Sequence, residues 1–509
     1  MRRIARAAVL AVLVSLVVQV PIAHAALTKP RYLVGAAKRS INPDPDGTFA
    51  GAPVYLGGYG IGGGSPVFEG RPATGILGDG ISVRAFAVSD GQHPFAIADI
   101  ETQGWFVAVK NGPYGLLDMR KAVEQRTGGA LPAESVVIQS DHSHSGPDPM
   151  GVWGGVPDEY MKYIADRTVD AIVAAYSSMR PAKLYYGTAP ARDLLSNQFD
   201  YDDADKVMDS DVRVLQARGE GPPITLLNFS AHATVLGSSN TKVSGDWVQV
   251  ANPLLEQRFG GTGVTVVGTL GRTQPADRSC SDPTAVTADA QNLCKLNDYA
   301  TRVVDRAAQA VANAKPLTGD PFVAARSFLI TDPSSNALLL GLVYVGGELG
   351  IPINRAITPP WLTGDVLGTI TATARIGDVL MSSGPGEMYP QIPLKVASTV
   401  PARGYMTAGL ANDQLGYLIA PYEAYPEPIR RSFFNQRGDE VSPIDNDNYF
   451  FNVSHTMGER VICSLLRGAG EVSGVGLAYW NQYDRCPTFV DDALIPDGTD
   501  TKSPSGGIG

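Results

Sequence analysis

Ser135-Val136-Val137-Ile138-Gln139-Ser140-Asp141-His142-Ser143-His144-Ser145-Gly146-Pro147-Asp148 is the stretch on which the reading of this chain turns. Its first half is largely apolar and predicts a buried strand over 134–140. Its second half carries two histidines two positions apart, where Ser-Gly-Pro turns the chain. In extended backbone, positions i and i+2 point the same way, so both imidazoles project into one space from the end of the strand. The chain has six histidines, at 24, 93, 142, 144, 232 and 455, so placing two of them in one loop is a signal. Neutral imidazole is a common ligand for zinc and other borderline metals. The bland alternative is a solvated polar loop after a strand.

Working outward, helix and strand patterns alternate. Residues 158–177 have the spacing of an amphipathic helix, with Met161, Ile164, Ile172, Ala175 and Tyr176 on one stripe. Runs 224–230, 264–268, 339–345, 377–382 and 404–410 predict further strands, and Asp246 is placed to cap a helix through Trp247, Val250 and Leu254. The expectation is an α/β fold with at least one large mixed sheet. The polar motifs then fall after strands: His142 and His144 after 134–140, His232 after 224–230, Glu387 after 377–382, and Asn412, Asp413 and Tyr417 after 404–410. In α/β folds ligands collect in such loops.

Composition narrows the function classes. Arg2, Arg3 and Arg6 precede an apolar run from Ala7 to Val20 and the small-x-small site Ala23-His24-Ala25, the pattern of a secretory signal cleaved after residue 25. Its removal takes the net charge from −10 to −13 by deleting those three arginines. So acidic a chain, without a basic cluster, is unsuited to nucleic acid. No later segment has the apolar length of a membrane span, which leaves peripheral contact with a membrane surface compatible with the sequence. The 56 glycines and 37 prolines imply long structured loops on a regular scaffold. The cysteines at 280, 294, 463 and 486 suggest disulfides in an exported protein, and the local pairs Cys280–Cys294 and Cys463–Cys486 are expected. Crossed pairings and a four-thiolate zinc site are the rivals, the latter without any C-x2-C spacing. The tail 491–509 has the composition of a disordered segment, which leaves 26–490 as one catalytic-domain-sized unit.

Several blocks in order resemble the catalytic domain of the neutral (non-lysosomal) ceramidases. They are HSHSGPD, NFSAHATVLG followed by VSGDW, GPGE, and LANDQLGYLIAPYEAY, with GDGISVRAFAVSDG upstream. The resemblance spans about Tyr32 to Val461. It implies that His142, His232, Glu387 and Tyr417 hold a catalytic Zn2+, with His144 beside the metal to orient water or substrate. It also implies a small-molecule or lipid substrate cleaved at an N-acyl amide bond. Asp246 and Asp99 are candidate acceptors for a ligand-histidine N–H, or else a helix cap and a strand-end turn.

Two positions depart from the family. Its active-site serine falls on Gln274, in Thr269-Leu270-Gly271-Arg272-Thr273-Gln274-Pro275, and its active-site arginine has no counterpart near Leu195-Ser196-Asn197-Gln198. Arg272 is a candidate replacement charge. The family's C-terminal immunoglobulin-like domain has no evident full counterpart. Two other readings compete with a secreted zinc amidase: a different metal-dependent hydrolase, and a non-catalytic protein that keeps the fold and the metal. A Ser-His-Asp hydrolase is disfavoured because no G-x-S-x-G is present.

Overall fold

Strands that are apolar on both faces need cover on both faces, and this chain supplies it with two sheets and two sets of helices. The computed structural model describes residues 31–59, 70–197, 207–271, 273–333, 336, 339, 341, 353–356, 366–419, 451–454, 456–474 and 490–491. The larger sheet comprises β1 (Tyr32–Ser40), β2 (Ser82–Ser89), β3 (Pro94–Ile100), β4 (Val136–Ser140), β5 (Arg180–Pro190), β6 (Asp211–Gly219), β7 (Gly221–Phe229) and β8 (Thr262–Val267). Their spatial order is β8-β7-β6-β5-β1-β2-β3-β4, with Lys315–Pro316 added beside β5. β3 and β4 pair in parallel, as do β7 and β8. The smaller sheet holds β9 (Val323–Pro333), β10 (Val366–Ile376), β11 (Val379–Ser383) and β12 (Gly404–Ala408), with Val490–Asp491 on its edge and β11 and β12 parallel. The mixed α/β class expected from the sequence is the one observed.

Period-two alternation sorts the core. Phe86, Ile97, Val137 and Leu226 of the larger sheet pack against Ala372 and Met381 of the smaller one. Their neighbours Val83, Ala98, Ile138 and Ile100 face the other way, onto helices α1 (Leu116–Arg126) and α2 (Asp158–Ser177). Leu227 and Phe229 face α3 (Asp246–Phe259) and α4 (Ala288–Asn313). On the far side of the smaller sheet, α5 (Gln391–Thr399) and α6 (Met457–Ser473) bring Ile392, Val461 and Leu465 onto Ile330 and Leu380. The result is a helix–sheet–sheet–helix sandwich. Each fully buried Phe or Ile in it contributes roughly 1.5–3 kcal/mol.

Helix 158–177 has the bounds the sequence predicts. Asp246 opens α3 rather than preceding it. The stretch 339–345, expected as a strand, is helical where described, at Leu339 and Gly341; its apolar run is one that length and periodicity leave ambiguous. Cys280 and Cys294 form the expected disulfide. Cys463 is also disulfide-bonded, and its expected partner Cys486 lies outside the described residues, as do segments 1–25 and 492–509.

The two sheets are joined at one end of their strands. Asn412 donates its backbone N–H to the Ile138 carbonyl at 2.7 Å and its Oδ1 accepts from the Ile138 N–H at 3.1 Å, so the loop after β12 extends the edge of β4. Gly409 donates to the Val267 carbonyl. A Cβ at Gly409 would sit 2.4 Å from the Gly268 carbonyl oxygen, so only glycine permits this approach.

Candidate metal centre

Each expected ligand sits just past a strand of this joined end. After β4 the chain turns sharply at His142, whose φ of 62° is left-handed and unusual for a non-glycine residue. Such backbone strain gathers at functional sites. His142 Nδ1 donates to the Gln103 carbonyl at 2.7 Å. His232, after β7, donates from Nδ1 to the Thr273 carbonyl at 2.6 Å. Carbonyls only accept, so both Nδ1 atoms carry a proton, and in the neutral ring each Nε2 keeps its lone pair, as a metal ligand needs.

Those lone pairs converge. His142 Nε2 is 3.4 Å from Glu387 Oε1, and His232 Nε2 is 3.0 Å from Glu387 Oε2. His144 Nε2 lies 3.3 Å from His142 Nε2. One ring nitrogen from each of His142, His144 and His232 falls within 4.8 Å of the others. Acceptors facing acceptors in a dry site repel one another unless a cation lies between them. The donor set, imidazoles with a carboxylate, is one that divalent transition metals favour. These residues therefore fit a metal ion.

Glu387 reaches the cluster with Tyr417 beside it in the cavity wall. Glu387–Met388 and Tyr417–Leu418 pair as short parallel strands with Glu387 opposite Tyr417. The Glu387 N–H donates to the Gly416 carbonyl at 2.8 Å. A Cβ on Gly386 would lie 2.4 Å from that carbonyl oxygen, which accounts for the glycine in Gly-Pro-Gly-Glu.

Burial pushes the Glu387 carboxyl upward, while positive charge and Nε2–H hydrogen bonds from His142 and His232, where those rings are protonated, pull it well below the ordinary glutamate range. Burial beside His142 and His232 holds His144 well below its ordinary value, hence neutral. His144 is also braced from behind. The Tyr59 ring stands edge-on at 4.8 Å, Arg71 donates to the His144 carbonyl, and a Cβ at Gly58 would lie 2.3 Å from its Cγ. Burial raises Tyr59 to about 12 and lowers Arg71 to about 10.

Asp246 and Asp99 do not receive the histidine N–H groups. The Asp246 carboxylate accepts from the backbone N–H groups of Val235, Leu236 and Trp247 at 2.8–2.9 Å, which makes it a staple for the His232 loop. Burial raises it to about 6. Asp99 is buried with Oδ1 unpartnered, and burial, with Glu101 nearby, raises it well above the ordinary aspartate value. Backbone carbonyls take the role that the sequence assigned to these carboxylates.

Gln274 neighbours the site without entering it. Its Oε1 accepts from Thr234 Oγ1 at 2.5 Å and Arg278 Nη2 at 3.2 Å. Asn197 pairs with Thr273 through backbone. Arg272 lies outside the described residues.

A cavity of about 140 Å³ opens at the cluster, with His142, His144, Glu387 and Tyr417 in its wall. Phe106, Met150, Val152, Ile353, Leu415 and Val453 make most of the remaining lining apolar. Three polar residues in the wall were not foreseen: Gln103, Arg355 and Gln414. They carry no metal-ligand pattern, so only the fold shows where they point. Arg355 is bound to Asp413 through both Nη atoms, at 2.5 and 2.8 Å.

A two-sheet α/β sandwich with a buried histidine–carboxylate cluster at the joined strand ends is a recognisable class. The neutral ceramidase from Pseudomonas aeruginosa matches over 92% of this chain and 77% of that chain, with a TM-score of 0.67 at 16% identity. A second structure, described as ceramidase complexed with C2, matches over 92% and 78%, with a TM-score of 0.65 at 15% identity. No protein-family model matches the sequence, and no curated protein matches it. At such identities the likeness is one of fold: the chain has the fold of neutral ceramidase.

Proposed function

We propose that this protein is an exported, metal-dependent amide hydrolase of neutral-ceramidase type, acting on an N-acyl lipid or related N-acyl compound. The observation that carries the reading is Glu387, whose two oxygens meet the Nε2 atoms of His142 and His232 at the wall of an apolar cavity. In this reading His142, His232, Glu387 and Tyr417 hold a Zn2+ ion. When bound, zinc would polarise the amide carbonyl and make a water acidic enough to attack near neutral pH.

The chain's own residues do the rest. The Gln103 and Thr273 carbonyls fix the tautomers of His142 and His232. The apolar wall receives the acyl chain and excludes bulk water. His144, neutral and braced by Tyr59 and Arg71, orients the attacking water through Nε2. Water adds to the carbonyl carbon, the C–N bond breaks, and the amine leaves with the proton that the water gives up. Because Gln274 and Asn197 stand where the family's serine and arginine are expected, the preferred substrate is an N-acyl compound other than ordinary ceramide. Export is supported by the Cys280–Cys294 disulfide, since such bonds persist in oxidising compartments.

The test is a panel of ceramides, N-acyl amino acids and simple esters, assayed with and without chelator. Chelator-sensitive amide cleavage is expected. Metal-loaded protein that cleaves no amide overturns the reading, and efficient ceramide cleavage overturns its substrate preference.

A further inference from the structure

Among the described residues that line the apolar cavity, Gln414 carries a side-chain donor that the protein leaves without a partner. Gln414 is buried, and its backbone is fixed because Gln414 N–H donates to Asp413 Oδ1 at 2.9 Å. Its Oε1 accepts from the Gly416 N–H at 3.3 Å. That bond sets which way round the carboxamide sits, because a backbone N–H must meet oxygen. Nε2 is therefore turned away from Gly416, and it has no hydrogen-bond partner among the described residues. Gln414 lines the cavity, and its Nε2 is not among the sealed polar atoms of the wall, whereas Gln103 Oε1 and Arg355 Nε are. Once a ligand fills the cavity and excludes solvent, a donor left there without a partner is costly, and a ligand that brings an acceptor avoids that cost.

We infer that Gln414 is a specificity-determining residue that donates from Nε2 to a neutral oxygen on the acyl group, close to the scissile carbonyl. The inference rests on the amidase reading above. Its position follows from Gly416, which holds Gln414 Oε1 through its N–H and Glu387 through its carbonyl. The carboxamide thus stands at the ligand end of the cavity, so the acceptor belongs on the first carbons of the acyl chain. The acceptor is neutral because the described residues of the wall offer no free positive charge: Arg355 is committed to Asp413. The substrate class is an N-(α-hydroxyacyl) amide rather than a plain N-acyl amide.

The test compares N-dodecanoyl and N-(α-hydroxydodecanoyl) para-nitroanilides on the metal-loaded, full-length mature protein. Both turnover and calorimetric affinity are measured, so the preference is read even if no amide is cleaved. Wild type is expected to favour the hydroxylated compound about tenfold, the worth of one good neutral hydrogen bond. Gln414→Leu removes the donor and the anchor to Gly416. Gln414→Glu keeps the anchor and removes the donors. Both should abolish the preference, Gln414→Glu with metal content unchanged. No preference in wild type, or a preference that survives in both variants, overturns the inference. So does an equal loss on both compounds, which would put Gln414 on the scissile group instead. Failure of the amidase reading alone would appear differently, as preserved differential binding without turnover.

Discussion

Replacing Arg355 with methionine tests whether a buried ion pair holds the cavity wall and the metal loop together. Asp413 Oδ1 accepts from Val107 N at 3.0 Å, Gln414 N at 2.9 Å and Arg355 Nη1 at 2.5 Å. Its Oδ2 accepts from Arg355 Nη2 and Thr369 Oγ1, each at 2.8 Å. The two side chains are 4% and 0% exposed, so water screens neither. Arg355→Met leaves the aspartate charge buried with only neutral donors, a loss of about 3–5 kcal/mol. Because Asp413 leads directly into the loop carrying Tyr417, metal affinity should fall as well. The double variant Arg355→Met with Asp413→Leu removes both charges and should regain much of the stability, since apolar replacement of a buried pair is often nearly neutral. Equilibrium unfolding in guanidinium and a zinc titration against a competing chelator read both effects. A loss below about 1 kcal/mol in the single variant, or a double variant less stable than the single, would refute the reasoning.

Purified mature protein should carry about one divalent ion per chain, and His142→Ala or His232→Ala should remove it; full occupancy in both variants, by elemental analysis, rules out the assignment. Cys280 and Cys294 are 14 residues apart, and closing a loop of that size is worth about 3 kcal/mol. Cys280→Ser should therefore lower the unfolding free energy by about that amount, and an unchanged denaturation midpoint would count against it. Burial raises Asp148 to about 6 from an ordinary 3.8, although its carboxylate accepts backbone N–H groups of Gly151, Trp153 and Gly155. An acid raised on folding binds more protons folded than unfolded, so its contribution to stability falls as pH rises from about 4 to 6. Asp148→Asn should flatten the pH dependence of stability in that window, and an unaltered profile from unfolding curves would contradict this.

Much of the site was legible because its chemistry is local. His142 and His144 announce themselves by spacing after an apolar run, and His232, Glu387 and Tyr417 each stand in a short block after a strand. The helix at 158–177 was legible for a similar reason, since one face of it is consistently apolar. Leu339 and Gly341 are helical where a strand is expected, because a short apolar run carries no periodicity that separates strand from helix. Asp246 and Asp99 were reasonable second partners for the histidines by residue type. The structure instead uses the Gln103 and Thr273 carbonyls, which every residue possesses and no sequence pattern marks.

The sequence by itself determined the alternation that makes the strands two-faced, the order of the polar loops, and the residue types able to hold a metal. Those properties depend on neighbours along the chain. Only the tertiary structure decided that the two face-packed sheets are linked at one end of their strands through Asn412 and Gly409, so that the loops carrying Glu387 and Tyr417 meet those carrying His142 and His232. It also decided that Gln414 lines the cavity, that Arg355 is neutralised by Asp413, and that Gln274 is bound to Thr234 and Arg278. The reason is physical: a side chain's direction and hydrogen-bond partners are set by contacts between segments hundreds of residues apart, and those contacts exist only once both sheets have packed.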